Sequence, residues 1–268
     1  MTSVSLTERD GVATITLPDP RISGLTAAGL DQMAAIIGAL QTSGSCGAIL
    51  LRGVPGAFCE GVELAEFAIT SEHDVLQAAL GRCFRALARN ALPVVAAIEG
   101  RAFGLGLSLL CHVDAAIAAP TSEFGAPFVS LGLVPEAAST LILRERIGYL
   151  QATRLLCLGE TVAAEEALRL GLISEIAAGN AVQSRAADLA ALFARRRSEA
   201  LTITRRLLRP DVGSLLDRID VELAASRGQL DRPATVKRLA RIAALSRRTT
   251  ERAGSGQSEW QRPNVLAS

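Results

Sequence analysis

Polar and apolar residues alternate over residues 3–8 and again over 12–17, with Asp10-Gly11 between them. Period-two alternation on both sides of an Asp-Gly pair predicts a β-hairpin, because these residues accept the positive φ values of a tight turn. The period then changes. Leu30, Met33, Ile36, Ile37 and Leu40 recur at helical intervals, which predicts a helix over 27–40 capped by Thr26. A short apolar run at 48–51 predicts a buried strand, followed by the long loop RGVPGAFCEGVELAEF and a helix over about 75–89. Pro93 opens the strand VVAAIEG, the glycine-studded GRAFGLGLSLLCH turns into a helix, and a further strand is expected at 113–118. Strands that are almost wholly apolar and alternate with helices predict an α/β architecture with largely buried strands.

Beyond about Tyr149 the pattern is helical. Apolar faces run over 152–158, 163–170 and 182–195, interrupted by a short strand at 172–176, and further helices are expected near 198–208, 212–228 and 233–245. Leu215, Ile219 and Leu223 recur every four residues, a stripe that must bury against its own domain or against a neighbouring subunit. From Thr249 onward the chain is polar and contains Gly, Ser and Pro, as expected of a flexible tail. The chain therefore divides into a core over 1–195, a helical region over 196–248 and a tail over 249–268.

Composition narrows the function classes. The 268 residues carry a formal net charge of +1, which argues against a dedicated nucleic-acid or membrane surface. No apolar run approaches the length of a membrane span, and the N-terminal MTSVSLTERDG has no signal-peptide character. The five cysteines form no CxxC pair, which fits reduced thiols in a cytoplasmic protein. His73 and His112, the only histidines, have no ligand spacing, so neither a zinc centre nor a histidine-based triad is expected.

Candidate chemistry concentrates in residues 125–140, GAPFVSLGLVPEAAST. Glu136 follows Pro135 and is flanked by Leu131, Leu133 and Val134 on one side and by Ala137 and Ala138 on the other. Proline suits the first helical position and a carboxylate suits the first turn, so the residues alone are compatible with an ordinary helix-capping acid. Two glycine-bearing turns follow strands: Phe58-Cys59-Glu60-Gly61-Val62, and Gly100 through Gly106. Such turns expose backbone N–H groups that can converge on a negative oxygen, although glycines also serve tight packing. A dinucleotide fingerprint is absent, since Gly104-Leu105-Gly106 is followed by Leu107-Ser108-Leu109 without a third glycine.

The segments LRGVPGAFCEGVEL, AIEGRAFGLGLSLLCHVDAAIAA, SEFGAPFVSLGLVPEAAST and AEEALRLGLISEI, in that order, resemble the enoyl-CoA hydratase/isomerase (crotonase) superfamily over about residues 3–245. The resemblance implies a spiral core of ββα turns and a C-terminal helical region that builds trimers, often paired as hexamers. It also implies an acyl-CoA thioester whose carbonyl is held by two backbone N–H groups, here those of Val62 and Leu105, with no cofactor beyond the coenzyme A of the substrate. The residues around these groups that it marks as substrate contacts are Arg21, Ser23, Leu25, Phe58, Glu60, Gly61, Glu63, Leu64, Gly104, Phe128 and Leu133. Glu63 and Glu60 also admit a structural reading. The two glutamates that hold water in the family's hydratases correspond to Ser108 and Phe128, which cannot act as an acid–base pair. In the family's peroxisomal-type 3,2-enoyl-CoA isomerases the working acid follows the proline of a motif like LGxxPE, which here reads Leu131-Gly132-Leu133-Val134-Pro135-Glu136. The resemblance thus points to Glu136 as the base of an isomerase. A weak hydratase, a thioester hydrolase and a non-catalytic acyl-CoA-binding protein are the alternatives.

Overall fold

The computed structural model describes residues 3–68 and 73–254. Strands β1 (Ser5–Arg9) and β2 (Val12–Thr16) form the expected antiparallel hairpin around Asp10 and Gly11. Helix α1 (Ala27–Ser43) starts where Thr26 Oγ1 accepts the Gly29 N–H at 3.2 Å. Next come β3 (Ala48–Arg52), α2 (Leu64–Ala68), α3 (His73–Arg89), β4 (Val94–Ile98), β5 (Arg101–Phe103) and α4 (Leu105–Leu110). They are followed by β6 (Ala115–Ala118), β7 (Glu123–Gly125), α5 (Phe128–Leu131), α6 (Ser139–Ile147) and α7 (Tyr149–Cys157). The chain continues through β8 (Thr161–Ala163), α8 (Ala164–Leu170), β9 (Glu175–Ile176) and α9 (Val182–Arg195). Helices α10 (Glu199–Leu208), α11 (Val212–Leu230) and α12 (Pro233–Gly254) close the described chain.

The main sheet has the order β1-β2-β3-β4-β6-β9 and is parallel from β2 onward. Apart from Arg52 at the end of β3, its central strands β3, β4 and β6 are apolar at every position because both faces are covered. Ile49, Leu51, Val94, Ala96 and Ile98 point into a core shared with Leu30 and Met33 of α1 and Phe84 of α3. The alternate residues Ala48, Leu50, Val95 and Ala97 meet Ala186 and Ala190 of α9 on the other face. A smaller sheet, β5-β7-β8, pairs β5 with β7 in parallel and β7 with β8 antiparallel. Two successive units of long strand, short strand and helix (β4-β5-α4 and β6-β7-α5) thus set the helix starts α4 and α5 beyond the C-terminal ends of the main strands.

Several expectations change. The glycine-studded turn contains a strand, β5, and the small sheet as a whole was not foreseen, since three residues are too few to display alternation. The long loop after β3 contains α2. The strand expected at 172–176 shrinks to Glu175–Ile176. Leu172 N–H instead bonds to the Ala167 carbonyl at 2.8 Å, closing α8 behind a left-handed Gly171. The strand expected from 113 begins at Ala115, because the Asp114 carboxylate turns aside to accept the Val94 N–H at 2.7 Å. Helix α12 runs to Gly254, past the tail boundary expected at Thr249. The remainder of that tail, 255–268, lies outside the described residues.

Burial also separates the cysteines. Cys46, Cys59, Cys83 and Cys111 are buried and Cys157 is exposed. Burial pushes the thiols of Cys83 and Cys111 up to about 12, far from a reactive thiolate. Iodoacetamide at neutral pH should therefore alkylate the native protein at Cys157 and spare the other four, and peptide mass spectrometry reads this directly.

Candidate active site

The two glycine turns are tied to each other by main-chain bonds. Cys59 N–H donates to the Arg101 carbonyl at 3.1 Å and Phe103 N–H donates back to Cys59 at 2.9 Å, a parallel bridge between Cys59 and Ala102. A second bridge joins Leu25 to Val62: Leu25 N–H reaches the Gly61 carbonyl and Glu63 N–H reaches Leu25, both at 3.0 Å. Gly104 N–H closes the arrangement on the Gly125 carbonyl of β7 at 2.9 Å. Gly61 and Gly104, each immediately before a candidate donor, have φ of 112° and 52°, values that side chains with a Cβ avoid. A Cβ placed on Gly104 would lie 3.9 Å from the Gly61 Cα, so the two turns are neighbours in space. Among the described residues neither the Val62 N–H nor the Leu105 N–H donates a hydrogen bond. Both residues are buried.

The candidate contacts around these turns separate by role. Ser23 Oγ and Gly24 N–H donate to Glu63 Oε2 at 2.9 and 3.1 Å, and Ala65 N–H donates to Oε1 at 3.3 Å. Glu63 is thus a clamp on the loop that carries Leu25. Arg21 makes a two-pronged pair with Asp19, both bonds at 2.8 Å, which raises its own pKa and lowers that of Asp19. Its side chain remains half-exposed beside the Leu25 loop. Arg101 approaches the buried carboxylate of Glu60 at 3.5 Å and lies 4.0 Å over the Phe103 ring. Phe58 is wholly buried in the core, Leu25 and Leu133 are buried, and Leu64 packs against the same core. Arg82 and Arg85 pair with Asp31 and Asp220, and Lys237 is exposed on α12. Ser108 and Phe128, which the family resemblance aligns with the hydratase glutamates, are both buried. The Ser108 hydroxyl has no hydrogen-bond partner among the described residues.

Glu136 does not lie in the first turn of a helix. Helix α6 begins at Ser139, and Pro135 and Glu136 precede it in irregular chain. Ala137 and Ala138 have φ of 68° and 57°, two consecutive left-handed alanines. That conformation costs roughly 1–2 kcal/mol per residue and persists only where neighbours enforce it. The enforcing groups come from afar. Glu222 of α11 accepts the Ala138 N–H at 2.6 Å, the Thr140 N–H at 3.0 Å and the Thr140 hydroxyl at 2.6 Å. It thereby supplies the cap that α6 lacks locally. His112 Nε2 lies 2.8 Å from the Ala137 carbonyl. Burial, with Arg209 nearby, depresses the His112 pKa to about 3, so the ring is neutral and donates from Nε2.

This scaffold leaves Glu136 only 8% exposed. Among the described residues its carboxyl group has no hydrogen-bond partner. Burial first, and the negative charge of Glu222 second, push its pKa up to about 8. A carboxyl group held in this way can take a proton and return it near neutral pH. Glu222, itself buried, also has a raised pKa, chiefly through burial and against the three bonds it accepts.

Sequence reasoning missed Glu222 and His112. The buried face of α11 is Leu215, Ile219, Glu222, Ser226 and Leu230; the expected stripe buries, with Leu223 packed partly buried against the same core, but it did not include Glu222. An acid three residues after Ile219, on the buried side of an apolar stripe, is the signal that would have found Glu222.

A family model described as enoyl-CoA hydratase/isomerase matches residues 7–218. A probable enoyl-CoA hydratase of Bacillus subtilis is 31% identical over 214 residues, 78% of this chain and 82% of that protein. A probable enoyl-CoA hydratase of Rhodobacter capsulatus is 34% identical over 169 residues, 62% of this chain, and the chain spans 65% of that relative's length. Among solved structures, that of Pseudomonas aeruginosa OdaA superposes with a TM-score of 0.81 at 28% identity, covering 89% of this chain and 98% of that one.

Proposed function

The chain belongs to the enoyl-CoA hydratase/isomerase family, with a crotonase-like α/β fold and a helical C-terminal region, and from that premise we propose that it is a 3,2-enoyl-CoA isomerase. What carries the reading is Glu136: a buried, unbonded carboxyl group with its pKa near 8, in a chain whose hydratase positions hold Ser108 and Phe128. The relatives' names say hydratase, but water addition needs a second carboxylate that this chain does not place there.

The chemistry suits a single base. The C2 proton of a 3-enoyl-CoA lies between a thioester and an alkene, so its removal gives a dienolate with charge on the thioester oxygen. The N–H groups of Val62 and Leu105 receive that charge, and one such donor typically lowers the barrier by about 3 kcal/mol. Glu136 takes the C2 proton and returns it at C4, giving the conjugated 2-enoyl-CoA. The apolar surroundings of Phe128, Leu131 and Leu133 exclude water that would otherwise add to the product. No resident cofactor or metal takes part, and coenzyme A enters with the substrate. Among the described residues no helix is long and apolar enough to cross a membrane; a cytoplasmic location belongs to this proposal. So does assembly into a homotrimer or a hexamer, supported by the exposed apolar side chains Tyr149, Leu150 and Leu158 of α7 and its C-cap.

The test is to mix the protein with 3-hexenoyl-CoA and follow conjugation by ultraviolet absorbance. Conjugation without accumulation of a 3-hydroxyacyl-CoA supports the proposal, and fast hydration of crotonyl-CoA refutes it. The base works as a carboxylate, so kcat/KM should climb about tenfold per pH unit below 7 and level off above about 8. A profile already flat at pH 5 would mean that a group other than Glu136 takes the proton.

A further inference from the structure

At the opposite end of the main sheet from the glycine turns lies a cavity of about 490 Å³, within the range of small-molecule sites. The turns follow the C-terminal ends of β3 and β4, whereas this cavity opens at the N-terminal ends of β4 and β6, beside Asp114 and under α10. Arg146, Arg205 and Arg209 line it together with Asp114 and Glu145. Arg146 caps α4, donating to the Leu110 and Cys111 carbonyls at 2.7 and 3.1 Å. Arg205 pairs with Asp114 at 2.8 Å and reaches the Asn90 carbonyl at 2.7 Å. Its side chain is only 9% exposed, yet Nη2 has no partner among the described residues. Arg209 shares the Asn90 carbonyl at 3.3 Å.

These bonds account for geometry but not for charge. Among the described residues Arg205 alone of the three has a carboxylate within ion-pair distance. Burial and the neighbouring Arg205 pull the Arg209 pKa down to about 10, the signature of a cation short of a counter-charge. Three guanidinium groups against the carboxylates of Asp114 and Glu145 leave one net positive charge, enough for a monoanion and too little for a phosphate dianion. The remaining wall is hydrocarbon, from Ile142, Phe193, Leu201 and Leu215. A planar two-oxygen head matches a guanidinium fork, and the walls match an aliphatic chain.

We propose that this cavity is a second ligand site, taking an amphipathic monocarboxylate of the medium-chain fatty-acid type, with its head at Arg205 and Arg209 and its chain along Leu201 and Phe193. The site is separate from the one that would hold an acyl-CoA, and the proposal stands whether or not the isomerase reading does.

Isothermal titration calorimetry with octanoate, octan-1-ol and acetate tests it. Octanoate should bind, and both partial mimics should bind at least about tenfold more weakly, since each lacks the head or the chain. Arg209→Met should weaken octanoate by a similar factor. Leu201→Trp, which fills the cavity from its apolar wall and leaves the charges in place, should abolish binding and covers the case in which Arg209→Met fails to fold. Excess hexanoyl-CoA should not displace octanoate. Failure of octanoate to bind, equal binding of octan-1-ol, undiminished binding to both variants, or displacement by hexanoyl-CoA would each overturn the proposal.

Discussion

Replacing Glu136 with glutamine is expected to slow double-bond migration by roughly a thousandfold, the usual scale for loss of an acid–base group, while making the protein more stable. The two effects share one cause. Burial moves the carboxyl pKa from 4.5 to about 8, so the folded state holds a proton that the unfolded chain releases. For a group whose folded pKa is raised, the associated stability is fully present below about pH 4.5 and is lost as the pH rises through about 8. Keeping the glutamate at pH 7 therefore costs on the order of 3 kcal/mol, part of which glutamine recovers by being neutral at every pH. The melting temperature of Glu136→Gln should exceed that of the native protein by a few degrees at pH 7. That gap should close as the pH is lowered toward 4.5. Differential scanning calorimetry across pH checks the stability half, and the conjugation assay checks the other. A variant that melts lower at pH 7, or that still isomerises 3-hexenoyl-CoA at the native rate, contradicts the assignment.

Glu222 offers the second large effect, in two grades. Glu222→Leu would strand the buried N–H of Ala138 and the partly buried N–H and hydroxyl of Thr140. Each orphan costs about 1–3 kcal/mol, so a destabilisation of several kcal/mol is expected. The left-handed pair Ala137–Ala138 would relax with it and Glu136 would lose its aim. Glu222→Gln is the informative partner. It nearly preserves shape and one acceptor oxygen but removes the negative charge that helps raise the Glu136 pKa. The acid limb of the kcat/KM profile should then move to lower pH, since a carboxyl group freed from a like charge ionises more readily. A residue that merely supported the fold would change stability and leave that limb in place. Measuring kcat/KM for Glu222→Gln across pH 5–9 separates the two roles.

Much of the fold was legible because its strands announce themselves. Residues 48–51 and 94–98 are apolar throughout since both faces of the sheet are covered, by α1 and α3 on one side and α9 on the other. The hairpin at Asp10-Gly11 and the Thr26 cap are local chemistry, readable within a few residues. The small sheet was invisible for the opposite reason: β5, β7 and β8 have three residues each and are fixed by their partners, not by their own pattern.

The start of α6 was misread because the local cue was real and the deciding one lay far away. Pro135-Glu136 imitates a helix entry, yet the N–H groups of the true first turn bond to a carboxylate 84 and 82 positions along the chain. No window of sequence contains that bond. The error reached the chemistry as well. A carboxylate in a helix's first turn would be stabilised in its charged form, whereas Glu136, outside the helix and facing Glu222's charge, is pushed toward the neutral form. The candidate base was legible as a residue; its protonation behaviour was not.

The main-chain bridges between the glycine turns carry an implication for descent. The proposed oxyanion site, made of the Val62 and Leu105 peptide N–H groups, has no side chain to lose, so any substitution there except proline leaves its donors in place. The proton-handling group has no such insurance, being one carboxyl group on one codon. On the proposed reading, the reaction of this scaffold would change by trading acids at positions 108, 128 and 136 while the main-chain donors stay in place.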